Sequence, residues 1–107
     1  MIDTAVLGDV ARQMMSGTKV EAAGKSLAVR RTGGQRLRTV AFEVDGREYD
    51  AVEQNPEKPS RWGQLAREGH QVVQFIDRKT RAFVAVSIDG VVKEYGAMRR
   101  GKKRPQT

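Results

Sequence analysis

The 107-residue sequence contains no cysteine, one tryptophan, one histidine and three prolines. Without cysteine the chain forms no disulfide and offers no thiolate to a zinc ion, which fits a reducing compartment. No apolar run approaches the roughly 18 residues of a membrane-spanning helix. Asp3 lies where a signal peptide carries positive charge. We therefore expect a soluble, cytoplasmic protein that does not insert into a membrane.

Common enzyme motifs are also missing from the sequence. There is no Walker loop, no glycine pattern of a dinucleotide-binding turn, no zinc-protease helix motif and no nucleophile elbow. The one histidine, His70, is a weak catalytic candidate, because the sequence shows no recognisable arrangement of it with Asp and Ser or with Cys. We expect a protein that is not an enzyme and that binds no cofactor and no metal.

Positive charge is concentrated at the C-terminal end of the chain. The formal net charge is +7 at pH 7. Residues 99–107 hold five basic groups and no acid, whereas residues 1–98 hold 15 basic and 13 acidic groups. Because such a run cannot be buried, it stays solvated and attracts DNA, RNA or an acidic membrane surface. The five basic residues are Arg99, Arg100, Lys102, Lys103 and Arg104.

The chain divides into a domain and a tail. Residues 1–96 have the apolar periodicity of a single folded domain, whereas residues 97–107 have no apolar pattern. We interpret the second range as a flexible basic tail. Its basic run contacts nucleic acid, serves only as a solubilising end, or acts in membrane contact or targeting.

The first half of the sequence predicts a helix followed by three strands. Residues 2–15 carry apolar side chains at every fourth position, which indicates an amphipathic helix. The dipeptides Gly33-Gly34 and Asp45-Gly46 each indicate a two-residue hairpin turn. Counting outward from either turn places the same apolar residues on one face of an antiparallel meander. These residues are Leu27, Val29, Val40, Phe42, Val44, Tyr49 and Ala51.

A short helix over residues 60–69 is predicted in the middle of the chain. Ser60 is a good N-cap and Gly69 a good C-cap, and two prolines just upstream oppose helix. Trp62 begins an apolar stripe on this helix, so we expect its side chain in the core. The alternative is that Trp62 anchors a protein partner.

Three more strands are predicted in the second half, over residues 71–77, 81–88 and 91–95, with Asp89-Gly90 as the last turn. The order is helix, three strands, helix, three strands. It predicts an α+β domain with one bent antiparallel sheet of about six strands, or a partly open barrel, covered by two helices.

The side chain of Phe83 has two possible roles. Strict alternation places it on one face with Val72, Ile76 and Ala85, and places Val73, Val84, Val86 and Ile88 on the other. Because both faces are then partly apolar, Phe83 is either a core residue or an exposed platform on which a base stacks.

An arginine-rich segment surrounds the first turn. A two-residue turn at Gly33-Gly34 pairs Leu27 with Val40 and sets Arg31 opposite Arg36. Directly opposed like charges destabilise a hairpin, and a protein tolerates them where the tip is solvated or where an anion binds. We exclude Arg38 from the candidate phosphate contacts because we expect it to lie opposite Glu53 and to form a cross-strand ion pair with it. The candidate phosphate contacts are Arg30, Arg31 and Arg36.

One group of residues opposes nucleic-acid binding by the sheet. Glu43, Glu48 and Asp50 point outward from the second and third strands and would repel phosphate. We interpret them as the solvated end of a hairpin rather than as a metal or acid–base site.

We hypothesise a small, non-enzymatic nucleic-acid-binding protein that contacts phosphates through the arginine-rich hairpin and the basic tail. The alternative is a protein–protein interaction module that docks the Trp62 helix or the Phe83 face against a partner. A third hypothesis is a small basic ribonuclease that uses His70. The partner is accordingly DNA or RNA, in single- or double-stranded form, or another protein.

Overall fold

A computed structural model describes residues 3–34 and 36–95, the last two as backbone only. The longer of the two helices in these ranges has 13 residues, and neither is long and apolar enough to cross a membrane. In chain order the elements are α1 (Thr4–Ser16), β1 (Lys19–Ala22), β2 (Lys25–Ala28), β3 (Arg30–Thr32), β4 (Leu37–Val44), β5 (Arg47–Glu53), α2 (Arg61–Arg67), β6 (Val72–Asp77), β7 (Phe83–Ile88) and β8 (Val91–Tyr95).

Six strands form one antiparallel sheet in the order β3-β4-β5-β6-β7-β8, so each strand pairs with its neighbour in sequence. The hairpin of β1 and β2 is a separate two-stranded sheet that packs against α1 and β4. The edge strands β3 and β8 do not pair with each other, so the sheet does not close into a barrel. The predicted α+β class with an antiparallel sheet of about six strands is confirmed.

Helix α1 forms where the apolar periodicity predicts it. The side chain of Asp3 caps its first turn by accepting a hydrogen bond of 2.9 Å from the backbone N–H of Ala5. The buried residues of the helix lie along one stripe, which packs against β1, β4, β7 and β8. They are Leu7, Gly8, Val10, Ala11 and Met14.

We call the sheet surface that faces α1 the core face, and the opposite surface the outer face. Phe75 on the core face is fully buried, and its ring meets that of Phe42 edge to face at 6.2 Å. Burial of a side chain of this size stabilises the fold by about 2–3 kcal/mol. The buried core-face residues are Val40, Phe42, Tyr49, Ala51, Val73, Phe75 and Ala85.

The meander prediction is confirmed at its second turn. Asp45 and Gly46 both have positive φ, and Phe42 pairs with Tyr49 as counted. All seven residues predicted for one face are buried or packed against the core there.

The register predicted at the first turn is wrong. Residues 33–36 form the loop, not Gly33-Gly34 alone, so Arg31 pairs with Arg38 rather than with Arg36. The first strand is also interrupted at Val29, whose backbone N–H bonds to Thr18, and Leu27 pairs with Val20 rather than with Val40. Because the loop is longer by two residues, each side chain keeps its predicted face.

The facing predicted for β7 is partly wrong. Phe75 pairs with Ala85 and Ile76 pairs with Phe83, so Val84 is the extra residue of a bulge. Ala85 therefore lies on the core face, whereas the half-buried Phe83 lies beside Ile76 on the outer face. Strict alternation fails here because a bulge adds one residue to one strand only.

Helix α2 is shorter than predicted, and Ser60 is its N-cap as expected. The C-cap is Glu68, with Gly69 following at φ 99°. Trp62 is half-buried and lies outside the hydrophobic core cluster, and Gly63 is the buried residue of the helix. The expectation that Trp62 belongs to the core is therefore not met, because α2 packs on β6 and contributes no residue to the core cluster.

Candidate nucleic-acid interface

Because neighbouring strands run antiparallel, successive connections lie at alternate ends of the sheet. Loop 33–36, the connection 54–71 and the Asp89-Gly90 turn lie at one end, which we call the ribbon end. The Asp45-Gly46 turn and loop 78–82 lie at the opposite end. The two candidate groups in the described part of the chain, the arginine hairpin and the Trp62 helix, are therefore both at the ribbon end.

Three exposed arginines occupy the edge of the sheet at the ribbon end. Arg30 and Arg31 belong to β3, all of whose residues are exposed, and Arg36 ends the loop with φ 53°. Within residues 3–34 and 36–95, none of the three makes an ion pair with a carboxylate. We call Arg30, Arg31 and Arg36 the arginine edge.

The geometry of the hairpin leaves the charge of Arg31 uncompensated. Its guanidinium donates to the Arg36 carbonyl at 3.2 Å, which holds the side chain along the strand. Its cross-strand partner Arg38 is paired with Glu53 at 3.4 Å, as expected from the sequence. Two arginines therefore lie opposite each other, and the one carboxylate beside them serves Arg38.

The arginines of β3 point to both sides of the sheet. Arg30 pairs with Thr39, and Arg31 pairs with Arg38. Neighbouring strand residues face opposite ways, and Arg38 lies two residues from Val40 of the core face. Arg31 is therefore on the core-face side of the edge, and Arg30 is on the outer-face side.

The acidic residues that argued against nucleic-acid binding lie away from the arginine edge. Glu43 pairs with Glu48 next to the Asp45-Gly46 turn, and Asp50 makes an ion pair of 3.3 Å with Arg81. Glu43 lies four residue steps along β4 from Thr39, the partner of Arg30, which is roughly 14 Å. This exceeds the Debye length of about 8–10 Å in physiological salt, so Glu43 repels a ligand at the arginine edge only weakly. Asp50, opposite Ala41, is nearer, and the ion pair with Arg81 offsets its charge.

The Trp62 helix is fixed to its own approach loop by several polar contacts. The Arg67 guanidinium donates to the carbonyls of Pro56 and Lys58, the second at 3.0 Å. Gly63 lies against the Lys58 carbonyl so closely that a methyl group there would clash with it. Arg61 lies over the Trp62 ring at 5.0 Å.

Sequence reasoning missed the contact between Arg61 and Trp62, which lies at the same end of the sheet as the arginine edge. The available signal was topological: in an antiparallel meander, the β3–β4 loop and the β5–β6 connection share one end of the sheet. Exposed Lys58 and Arg61 therefore add charge on the side where the arginine edge lies, and Glu57 and Glu68 offset it.

His70 forms a surface clamp with the last turn. Its Nδ1 lies 2.8 Å from an Asp89 carboxylate oxygen, and the other oxygen accepts the Gln71 backbone N–H at 2.9 Å. The Gln71 N–H first, and then His70, hold the pKa of the Asp89 carboxyl below its ordinary value. The partner of His70 is thus a carboxylate at the surface, not a cation in a cleft. No group of three potential metal ligands occurs among the described residues.

The remaining candidate residues are Phe83 and the basic run near the end of the sequence. Phe83 is half-buried on the outer face, near the end opposite the arginine edge. The basic residues 99–104 lie outside the described residues. The backbone of Tyr95, the last one described, is on the other edge strand and at the other end of the sheet from loop 33–36. The structure brings Arg30, Arg31 and Arg36 together and places the backbone of Tyr95 at the opposite corner of the sheet.

Comparison with protein-family models, with curated proteins and with solved structures finds no match to this chain. Function must therefore be inferred from the geometry and charges described above.

Proposed function

We propose that this protein is a non-enzymatic nucleic-acid-binding protein whose arginine edge contacts the phosphate backbone. The observation that carries the proposal is the set of three exposed arginines, on an edge strand and its loop, that have no carboxylate partner within the described residues. Guanidinium groups bind phosphate oxygens in a bidentate manner, and an edge strand leaves them accessible.

The basic tail has a supporting role in this proposal. Tyr95, the last described residue, lies at the far corner of the sheet, so we assign the five positive charges that follow it in the sequence a separate, non-specific contact with the same polyanion. The arginine edge supplies the fixed geometry, and the tail raises the rate of encounter.

The salt dependence of binding gives a quantitative test. Three phosphate contacts predict a slope of log affinity against log salt of about −2.7, or roughly 40-fold weaker binding at 200 mM than at 50 mM salt. Fluorescence anisotropy with labelled single- and double-stranded DNA and RNA measures this slope directly. Contacts by the tail make the slope steeper, and replacing its five cations with glutamine should restore the shallower value.

Two triple variants locate the contact. Alanine at Arg30, Arg31 and Arg36 should weaken binding at about 50 mM salt and flatten the slope by about 2.7. The control carries alanine at the exposed residues Arg47, Arg78 and Lys79 near the opposite end, removes the same charge and should bind like the wild type. The proposal fails if the wild type binds none of the four nucleic acids, or if the two triple variants bind equally well.

A second candidate function is a protein-interaction module built on α2. The observation that favours it is the half-buried Trp62, on a helix whose contacts fix it rigidly to a surface loop. Rigid aromatic side chains are frequent anchors of protein interfaces. Trp62→Ala should then leave nucleic-acid affinity unchanged and abolish co-purification of a specific protein with the tagged chain. Retention of that protein by the variant would contradict this function.

A further inference from the structure

We infer that the arginine edge enters the major groove of B-form duplex DNA, with phosphates of the two strands on either side of it. This inference rests on the proposed function and specifies its ligand. It follows from the directions of the arginines, the projection of the hairpin, the chemistry of its tip and the position of the aromatic residues.

The directions of the arginines match a ligand that surrounds the edge. Arg30 points to the outer-face side and Arg31 to the core-face side of the same short strand. A nucleic-acid strand lying on one face of the sheet would contact one of them and not the other. A ribbon that enters a groove has a phosphate backbone on each side, so both arginines find phosphates.

The hairpin also projects beyond the neighbouring strand. β5 extends to Glu53, whose carboxylate accepts from the Arg38 backbone, so Thr32 and Leu37 form the one pair of the hairpin beyond β5 before loop 33–36. One position is roughly 3.4 Å of ribbon, and the loop adds to this length. The major groove is about 8.5 Å deep and about 12 Å wide, and it admits a two-stranded ribbon.

The described residues at the tip are small or polar. Thr32 is exposed and has a hydroxyl that bonds to base edges. Gly33 and Gly34 have no side chain, and open space surrounds the position of a methyl group at either one. At these two positions the tip therefore brings backbone close to the floor of a groove without a side chain in the way.

Single-stranded ligands and A-form RNA fit this edge less well. Proteins that bind single strands stack bases on exposed aromatic rings, whereas Phe42, Tyr49 and Phe75 are buried in the core. Phe83 is half-buried and lies near the end of the sheet opposite the arginine edge. Trp62 carries Arg61 over its ring. The major groove of A-form RNA is deep and too narrow for side chains to read.

The experiment compares ligands of one sequence at one salt concentration. We expect duplex DNA to bind at least about 10-fold more tightly than single-stranded DNA, which places phosphates on only one side of the edge, or duplex RNA, whose major groove is too narrow to admit the ribbon. Arg30→Ala and Arg31→Ala should each weaken duplex binding by similar factors, since both side chains contact phosphate. Loss of affinity in one variant alone would overturn the two-sided geometry.

Modified duplexes identify the groove. Bulky groups on C5 of the pyrimidines project into the major groove and should weaken binding at least about 10-fold, whereas groups on N2 of guanine lie in the minor groove and should have no effect. The reverse pattern, or equal binding of single strands or duplex RNA, overturns this inference and leaves the proposed function standing. Absence of binding to every nucleic acid overturns the proposed function itself.

Discussion

The Glu53 carboxylate accepts hydrogen bonds from both the backbone and the guanidinium of Arg38. One carboxylate oxygen accepts the Arg38 backbone N–H at 2.9 Å, and the other accepts from the guanidinium at 3.4 Å. Both side chains are largely buried, with 29% and 22% of their surfaces exposed for Arg38 and Glu53. Glu53 therefore neutralises one member of the Arg31–Arg38 pair and leaves the other available to a ligand.

Replacing this carboxylate should increase binding at a cost in stability. Glu53→Gln keeps an oxygen for the Arg38 backbone but removes the charge that holds its guanidinium. We expect the free energy of unfolding to fall by about 1 kcal/mol, because two opposed arginines then lack a counter-charge. The released guanidinium should make the salt slope for duplex DNA steeper by about 0.9. Glu43→Gln, at the other end of β4, is the control for charge alone and should leave the slope unchanged.

The fit of α2 against its approach loop makes glycine necessary within a helix. Alanine usually stabilises a helix relative to glycine by about 1 kcal/mol. At Gly63 a methyl group would meet the Lys58 carbonyl, so Gly63→Ala should instead destabilise α2 by about 1–3 kcal/mol. Trp62 is the single tryptophan of the chain, so a red shift of its emission reports displacement of this helix.

Gly17→Ala is the matched control for this experiment. The nearest atom to a methyl group at Gly17 is 3.7 Å away, and the backbone there is extended, so the variant should retain the wild-type emission and stability. Equal stability of the Gly63 and Gly17 variants would show that the loop moves aside at little cost.

Local chemistry explains which parts of the fold are predictable. Asp45-Gly46 and Asp89-Gly90 form the predicted turns because both residues of each pair adopt positive φ, which these residue types tolerate best. Ser60 caps α2 because its hydroxyl accepts the Gly63 N–H within the same turn. Each of these features depends on a few adjacent residues, so the sequence alone specifies it.

The features that sequence reasoning missed depend on contacts between distant segments. The loop after Thr32 is longer than its glycines indicate because β2 pairs with β1 and leaves only three residues to pair with β4. The bulge beside Phe83 changes the facing of β7, and no local dipeptide marks it. In the candidate site, the residue types of the arginine edge and the opposite facing of Arg30 and Arg31 were predictable from strand alternation. The pairing of Arg31 with Arg38, whose carboxylate partner is Glu53, needed the correct register.

Acid should weaken the clamp between His70 and Asp89. The Gln71 N–H, and then His70, lower the pKa of the Asp89 carboxyl from its ordinary value of 3.8. Because the folded-state pKa is below the unfolded-state pKa, the carboxylate contributes stability above the unfolded value and loses it as the pH falls through the folded value. Urea unfolding of the wild type from about pH 5 downward should therefore show a decrease in stability that is smaller in Asp89→Asn.

A control for the acid experiment exists in the other Asp-Gly turn. Asp45→Asn replaces an aspartate in the same turn geometry, and the described residues provide no hydrogen bond to the Asp45 side chain. This variant therefore measures the effect of an aspartate-to-asparagine change in this turn without the loss of a clamp. If the stability of Asp89→Asn decreases with falling pH as much as that of the wild type, the carboxylate of the clamp contributes no pH-dependent stability.

The buried hydroxyl of Ser87 should be dispensable for folding. Ser87 is fully buried on β7, pairs with Val73 and Val92, and its Oγ has no hydrogen-bond partner within the described residues. A buried polar group without a partner costs about 1–3 kcal/mol, so Ser87→Ala should leave the free energy of unfolding unchanged or raise it by up to about 1 kcal/mol after the loss of packing. Ser60→Ala, which removes a helix cap, should lower it by about 1 kcal/mol. If Ser87→Ala is the more destabilising of the two, the hydroxyl has a partner that stabilises the folded state.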